Sequence, residues 1–151
     1  MYFIASMRFK IKAQVKGNYR DVMLRFDRDL FEYLLPKSAD VKLVEFGGSV
    51  KGARVHIQFN SPISATWISE ITEDGVNDAE AWFVDKGVVL PFGLRHWHHR
   101  HIVRRVTETE SEIIDDIEFR CGNGFLTFLY FPFLYFGFYP RKRQYRSYFG
   151  V

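Results

Sequence analysis

A chain of 151 residues is long enough to bury an apolar core, and its single cysteine excludes an intrachain disulfide. The formal net charge of +3 is small and the basic residues are scattered among acidic ones, so we expect no nucleic-acid partner. The 16 phenylalanines, 8 tyrosines and 3 tryptophans are many for this length, and such rings can line a hollow as well as fill a core.

The first regular pattern begins at Met7. Residues 7–16 alternate between apolar and polar side chains, which predicts a strand with one face in water. The start of the chain lacks the basic and apolar regions of a signal peptide, so we expect a cytoplasmic protein. We predict one domain over residues 1–151, in which residues 1–6 are a disordered or upstream extension and either Met1 or Met7 is the start.

Short helices are predicted after this strand. Asn18 followed by Asp21 has the pattern of a helix N-cap with an acidic first turn. Apolar residues then recur at spacings of three and four up to Pro36, which indicates one or two helices with a break near residues 27–29.

From residue 41 to residue 119 the pattern is typical of antiparallel strands. Short alternating stretches are joined by polar turns, with no room for the helices of βαβ units. Strands are predicted at residues 41–46, 53–60, 67–71, 79–85, 95–106 and 112–120, with turns at 47–48, 73–75 and 107–110.

The last part of the chain is strongly apolar. Residues 121–140 carry no charge, and a basic cluster of Arg141, Lys142, Arg143 and Arg146 follows them. Twenty such residues could just span a bilayer, but Pro132 in their middle favours a long terminal helix packed on the sheet, with no stable membrane span. The basic cluster is expected on a solvated face, where it could also attract phosphate or anionic lipid.

The rings of this segment are too many to face one way on a single helix. Some of them must be exposed, contact a second chain or touch a membrane. A homodimer through the aromatic segment and a membrane-facing role are therefore both open.

Four of the five histidines fall between residues 96 and 101. At a period of two, Trp97, His99, His101 and Val103 share one face of a strand, while His96 and His98 lie on the other. A face that mixes a large aromatic ring, two imidazoles and a valine is too polar for an ordinary core and too apolar for a solvent face, which indicates the wall of a cavity.

This stretch resembles the START-like (SRPBCC, helix-grip) superfamily, in particular bacterial members of unassigned activity. The matching residues are Phe83-Val84-Asp85, Pro91-Phe92, Trp97-x-His99-x-His101 and Asp115-x-Ile117-x-Phe119. The chain departs from the pattern at Leu90, where the family has glycine, in two extra residues before Trp97, and in lacking a Gly-Thr turn before Asp115.

The resemblance implies an α+β helix-grip fold, in which a curved antiparallel sheet wraps around a long C-terminal helix and two short helices close one end. It also implies an internal cavity between the sheet and that helix. We expect the polar end of the cavity to be formed by Asp85, His99, His101 and Asp115. Its apolar walls would come from Trp67, Phe83, Trp97, Phe119, Phe128 and Tyr135.

A metal site is one alternative, because each face of the histidine strand offers two imidazoles, with Asp85 or Asp115 as a third ligand. Buried, hydrogen-bonded histidines are the preferred interpretation, and we expect no metal and no cofactor.

Three functions remain open at this point. The first is an intracellular protein that binds a small hydrophobic molecule, lipids included. The second is an enzyme of the polyketide cyclase or hydrolase kind that uses a His–Asp pair in the same cavity. The third is a membrane-facing or homo-oligomeric role of the aromatic C-terminal helix. No nucleophile with a base beside it is found in the sequence, which favours binding over catalysis.

Overall fold

Within residues 5–151, which the computed structural model describes, seven strands and four helices follow one another. Residues 1–4, most of the predicted N-terminal extension, lie outside the described residues. The elements are β1 Met7–Lys16, α1 Tyr19–Leu24, α2 Arg28–Leu34, β2 Asp40–Phe46, β3 Arg54–Ser61, β4 Ala65–Val76, β5 Glu80–Val89, β6 Leu94–Arg105, β7 Glu110–Cys121, α3 Gly124–Phe138 and α4 Arg141–Phe149.

The strands form one antiparallel sheet in the order β1-β7-β6-β5-β4-β3-β2. Consecutive strands from β2 to β7 are neighbours, as their short connections predict, and β1 returns to pair with β7. This curled sheet, with short helices and a long C-terminal helix, confirms the predicted α+β helix-grip architecture. The register places Asp115 opposite both Ile11 and His101, and Asp85 opposite His99.

The two short helices begin where the sequence predicts. The Asn18 side chain caps α1 by accepting from the Arg20 N–H, and Asp27 caps α2 by accepting from the Leu30 N–H at 3.1 Å. The second cap explains the predicted break near residues 27–29, because an N-cap residue has an extended backbone that ends the preceding helix.

The turn predicted at residues 73–75 is wrong. These residues lie inside β4, beside a shift of register between Ile71 and Glu73, and the chain turns later, at residues 77–79. Gly75 lies under the Trp82 indole, where a Cβ would come within 2.3 Å of the ring. The glycine is therefore needed for close packing rather than for a turn.

The C-terminal helix consists of α3 and α4, joined across Tyr139 and Pro140, which both keep helical backbone angles. One face of this continuous helix points at the sheet. Its members follow one another at spacings of three and four, and we call them the inner stripe: Thr127, Phe131, Leu134, Phe138, Arg141, Tyr145 and Phe149. Among residues 5–151, no helix is both long and apolar enough to cross a bilayer.

Two apolar clusters lie under this helix. The first joins α1, α2 and α4 to the sheet through residues such as Phe26, Val103 and Phe149. The second joins α3 to β1, β6 and β7 through residues such as Phe9 and Leu134. Between the two clusters the inner face of the sheet carries a layer of polar side chains.

Thr127 fixes the start of α3 to the end of β7. Its buried hydroxyl accepts from the Cys121 N–H at 3.0 Å and donates to the Asn123 carbonyl at 2.8 Å. We predict that Thr127→Val lowers the free energy of unfolding by about 1–3 kcal/mol, because the buried Cys121 N–H loses its acceptor. Denaturant unfolding measures this, and Thr127→Ser, which keeps the hydroxyl, is the control; equal losses in both variants would contradict the assignment.

Candidate functional site

Asp115 is the centre of the polar layer. It lies on β7 with none of its surface exposed. His99 Nε2 donates to Asp115 Oδ1 at 2.8 Å, and the Tyr145 hydroxyl donates to Asp115 Oδ2 at 2.9 Å. Arg141 Nη1 lies 3.7 Å from Asp115 Oδ1. Arg141 and Tyr145 of the inner stripe therefore both contact the Asp115 carboxylate in the middle of the sheet.

Asp85, on β5, is the second buried carboxylate. Its Oδ2 accepts from His101 Nε2 at 2.7 Å and its Oδ1 accepts from Trp97 Nε1 at 3.2 Å. The pairing is diagonal, because Asp85 bonds to His101 although it lies opposite His99 in the sheet. In the same way Asp115 bonds to His99 although it lies opposite His101.

The two imidazoles stack on each other between these carboxylates. Their ring centroids are 3.6 Å apart, and the Phe83 ring stacks on the other side of His101 at 4.2 Å. Each ring also places its Nδ1 near the opposite carboxylate, at 3.5 Å for His99 to Asp85 and 3.4 Å for His101 to Asp115. Two imidazoles and two carboxylates therefore form a closed group with four N–O contacts.

The charges of this group balance when the histidine pair holds one extra proton. Asp85 and Asp115 together carry two negative charges, and Arg141 supplies one positive charge. The remaining negative charge is matched by the extra proton on the histidine pair. Burial opposes a charge on His101, but the two carboxylates outweigh it and raise the pKa of His101. Burial and the positive charge of His101 lower the pKa of His99, which therefore stays neutral.

The other members of the group keep their ordinary charge states. Burial alone would raise the pKa of Asp115, but contacts with the two imidazoles and Arg141 hold that pKa well below its usual range. Burial would also raise the pKa of Asp85, but contacts with the two histidines and Arg141 outweigh burial and lower this pKa. Burial and the charge of Asp115 raise the pKa of Tyr145 far above its usual range, so its hydroxyl remains a donor.

A cavity of about 160 Å³ lies against one side of this group. It lies between the sheet, α2 and the junction of α3 and α4. The polar side chains at its wall are Asp27, Ser49, Ser69, Asp85, His99, His101 and Arg141. The rest of the wall is mostly apolar and includes Phe26, Leu30, Phe31, Leu34, Phe46, Val55, Ile57, Phe59, Trp67, Ile71, Phe83, Trp97 and Phe138.

Six of the ten predicted site residues line this cavity: Trp67, Phe83, Asp85, Trp97, His99 and His101. Asp115 belongs to the same network but lies behind His99. The other three expectations require correction. Phe119 is buried in the second apolar cluster, Tyr135 packs against Phe9 at 5.7 Å beside that cluster, and Phe128 faces outward with 66% of its surface exposed.

Sequence reasoning missed Tyr145 and Arg141. The basic cluster was expected on a solvated face, yet the Arg141 side chain is only 13% exposed, its guanidinium lies over the Phe138 ring at 4.6 Å, and it lines the cavity. A usable signal was present, because Arg141 and Tyr145 continue the spacing of three and four from Phe138 to Phe149.

The same side chains bear on the question of a metal. Asp85, His99 and His101 offer one ligand atom each within 4.8 Å of one another. An imidazole nitrogen coordinates a metal in the plane of its own ring, and these two planes are nearly parallel, at 23°. At least one ring would have to turn before both could bind one ion. A hydrogen-bonded network suits this arrangement better, and the absence of a metal stays a prediction.

Comparison with known structures identifies the fold. An aromatase/cyclase of Streptomyces sp. R1128 has a TM-score of 0.68 at 8% identity, covering 93% of this chain and 91% of that one. A truncated norcoclaurine synthase of Thalictrum flavum has 0.64 at 11%, covering 88% and 86%. A hypothetical protein of Helicobacter pylori has 0.68 at 14%, covering 95% and 88%.

This chain has the helix-grip fold. A scan against protein-family models finds no match, and neither does a search of curated proteins. At these identities the likeness establishes the fold and leaves the activity open.

The histidine pair predicts a stability maximum near pH 6.5. Because the folded-state pKa of His101 is raised, its contribution is complete below pH ~6.5 and is lost as pH rises through that pKa. Because the pKa of His99 is lowered, its contribution is complete above pH ~6.5 and is lost as pH falls.

Denaturant unfolding between pH 5 and pH 9 measures this, with slopes of at most about 1.4 kcal/mol per pH unit. We expect His99→Gln to flatten the acid side alone. His101→Gln should flatten the alkaline side and also weaken the acid side, because the charge of His101 helps to lower the pKa of His99. His98→Gln, on the outer face of β6, is the control and should leave both sides unchanged. Identical pH profiles in all four proteins would contradict the charge assignment.

Proposed function

We propose that this protein binds a compact, mostly apolar molecule in the cavity, and that one hydrogen-bond-accepting group of the ligand meets Arg141. The observation that carries this is the cavity itself, which has mostly aromatic and aliphatic walls and has the buried group of Asp85, His99, His101 and Arg141 on one side. Such a combination is typical of small-molecule sites, where the apolar wall supplies affinity and a few polar groups fix orientation.

The volume supports a ligand of one or two rings. A cavity of about 160 Å³ is close to the roughly 150 Å³ of an engineered apolar cavity that binds benzene. Sites for larger molecules commonly measure about 300–1,000 Å³. A long-chain lipid would require the wall to move, so a small ring compound is the better candidate.

The polarity supports an acceptor. Arg141 Nη1 is buried at the cavity wall and has no hydrogen-bond partner among the described residues. The guanidinium carries only donors, so a ligand group that satisfies it must accept. The charges of Asp85 and Asp115 oppose a full anion nearby, which favours a neutral acceptor such as a carbonyl.

Catalysis in the same cavity is a second candidate, favoured by the single proton of the stacked histidines. General acid–base chemistry requires a group that gives a proton to the bound molecule and a neutral group that takes one; protonated His101 and neutral His99 are such a pair, and both rings reach the cavity wall. Two of the structural neighbours are named as enzymes, an aromatase/cyclase and a norcoclaurine synthase. No nucleophile beside a base occurs in the group, so covalent catalysis is not proposed.

Binding can be tested with a pair of probes of equal shape. We expect acetophenone, which has a carbonyl, to bind about 10- to 100-fold more tightly than ethylbenzene, because a hydrogen bond to a charged donor contributes about 1.5–3 kcal/mol. Arg141→Met should remove this preference. Calorimetric titration measures both affinities, and equal affinities in the wild-type protein would refute the role of Arg141.

A blocking variant tests the location. Ile57→Trp fills the cavity from β3 without touching the polar group, and it should abolish binding of both probes. Ile63→Trp is the matched control, since Ile63 is 61% exposed on the surface. Unchanged binding in Ile57→Trp would place the probes elsewhere.

The small molecule that co-purifies with the protein separates binding from catalysis. Mass spectrometry, native and then after organic extraction, should find a ring-sized compound on the wild-type protein. If the protein only binds, His99→Gln should carry the same compound. If it catalyses a reaction, the wild type should carry product and His99→Gln should carry a precursor of different mass.

A further inference from the structure

The C-terminal helix has an outward face that no other part of residues 5–151 covers. Four phenylalanines on it, Phe125, Phe128, Phe133 and Phe136, are between 66% and 71% exposed. Leu129 and Tyr139 lie among them, each 49% exposed. We call these six residues the aromatic face. They recur at spacings of three and four on the side of the helix opposite the inner stripe.

This surface is in the upper part of the range that monomers expose. With ~200 Å² for a phenylalanine side chain, the four rings alone expose on the order of 550 Å². The largest apolar patch of a typical monomer measures about 300–600 Å² and is often an interaction site. An outward helix face in water normally carries charged or polar residues, but α3 contains no charged residue.

Basic residues continue the same side of the helix into α4. Arg143 and Arg146 follow Phe136 and Tyr139 at spacings of three and four, and Lys142 lies beside them; all three cations are exposed. Together with Tyr139 they line one shallow groove. No acidic residue occurs between residues 119 and 151, so this end of the molecule offers cations without neighbouring acids in sequence.

A second copy of the chain is a poor partner for this face. If two helices paired in parallel, the cations of α4 would meet one another. If they paired antiparallel, the cations would meet the N-terminus of α3, which is the positive end of its dipole and has Arg95 beside Gly122. Both two-fold arrangements bring positive charge against positive charge.

We propose that the aromatic face and the cations Lys142, Arg143 and Arg146 form a docking surface for an anionic lipid bilayer. The acyl region accepts the rings, and the lipid phosphates accept the cations. The opposite side of the helix is buried against the sheet through Thr127, Leu134 and Tyr145, so only the aromatic face can meet the bilayer. The helix therefore lies along the interface, with its α4 end at the level of the headgroups.

Co-sedimentation with vesicles tests this surface. The probes are vesicles of phosphatidylcholine alone and of phosphatidylcholine with 30% phosphatidylserine. We expect the wild-type protein to bind the anionic vesicles at least tenfold more tightly, with affinity falling as salt rises. The triple variant Lys142→Gln, Arg143→Gln, Arg146→Gln should lose on the order of a hundredfold, about fivefold for each basic residue.

The aromatic contribution has its own pair of variants. Phe133→Ser with Phe136→Ser should reduce binding to anionic vesicles at least tenfold. The matched control, Ile63→Ser with Val76→Ser, changes two exposed apolar residues elsewhere and should bind like the wild type. All these positions are on the surface, and circular dichroism checks that each variant folds.

Two results would overturn the proposal. One is a wild-type protein that fails to bind anionic vesicles at low salt, a result that needs no variant. The other is binding that survives loss of both phenylalanines. Sedimentation velocity distinguishes the alternative occupant: a dimer that dissociates in the Phe133→Ser, Phe136→Ser variant, without vesicle binding, would assign the face to a second copy.

Discussion

The burial of Asp115 is the constraint on which the rest of the structure depends. An ionised carboxylate with no exposed surface must be paired, because an unpaired buried charge costs several kcal/mol. Its partners come from β6 and α4, through His99 and Tyr145, while its own strand pairs with β1 and β6. A shift of α4 by one turn would take Tyr145 away from this carboxylate, so the polar layer sets the position of the helix more sharply than apolar contacts alone can.

The same layer joins stability to the cavity. Arg141 helps to neutralise Asp115 and also forms part of the cavity wall. His101 is hydrogen-bonded to Asp85 and stacked between Phe83 and His99, and these contacts stabilise its protonated form. The same ring lines the cavity. A ligand that accepts from Arg141 therefore changes the electrostatic balance of groups that hold the sheet to the helix, and binding and protonation are necessarily linked.

Much of the fold could be predicted from local patterns. The period of two fixes which strand residues share a face, so Trp97, His99 and His101 were placed together correctly, and the caps at Asn18 and Asp27 mark real helix starts. The diagonal hydrogen bonds could not be predicted, because they depend on strand register and ring orientation. In α3, apolar residues occupy every side, so the pattern contains no information on which face is buried, and Phe128 was assigned inward wrongly.

Tyr145 was missed for a related reason. The basic residues from Arg141 to Arg146 predict a solvated face of the last helical turns, whereas the inner stripe continues through these turns to Phe149.

This continuity places two surfaces on one short segment. Phe138 and Arg141 reach the cavity wall from the inner side, while Phe136, Tyr139 and Arg143 lie on the outer side. Pro140 has no N–H to donate to the preceding turn, so the helix is one backbone hydrogen bond weaker at this junction. Pro132 removes a backbone hydrogen bond inside α3 in the same way, so the helix is weakened on both sides of Phe136. Tyr145, one turn beyond Arg141, holds the segment after the junction to Asp115.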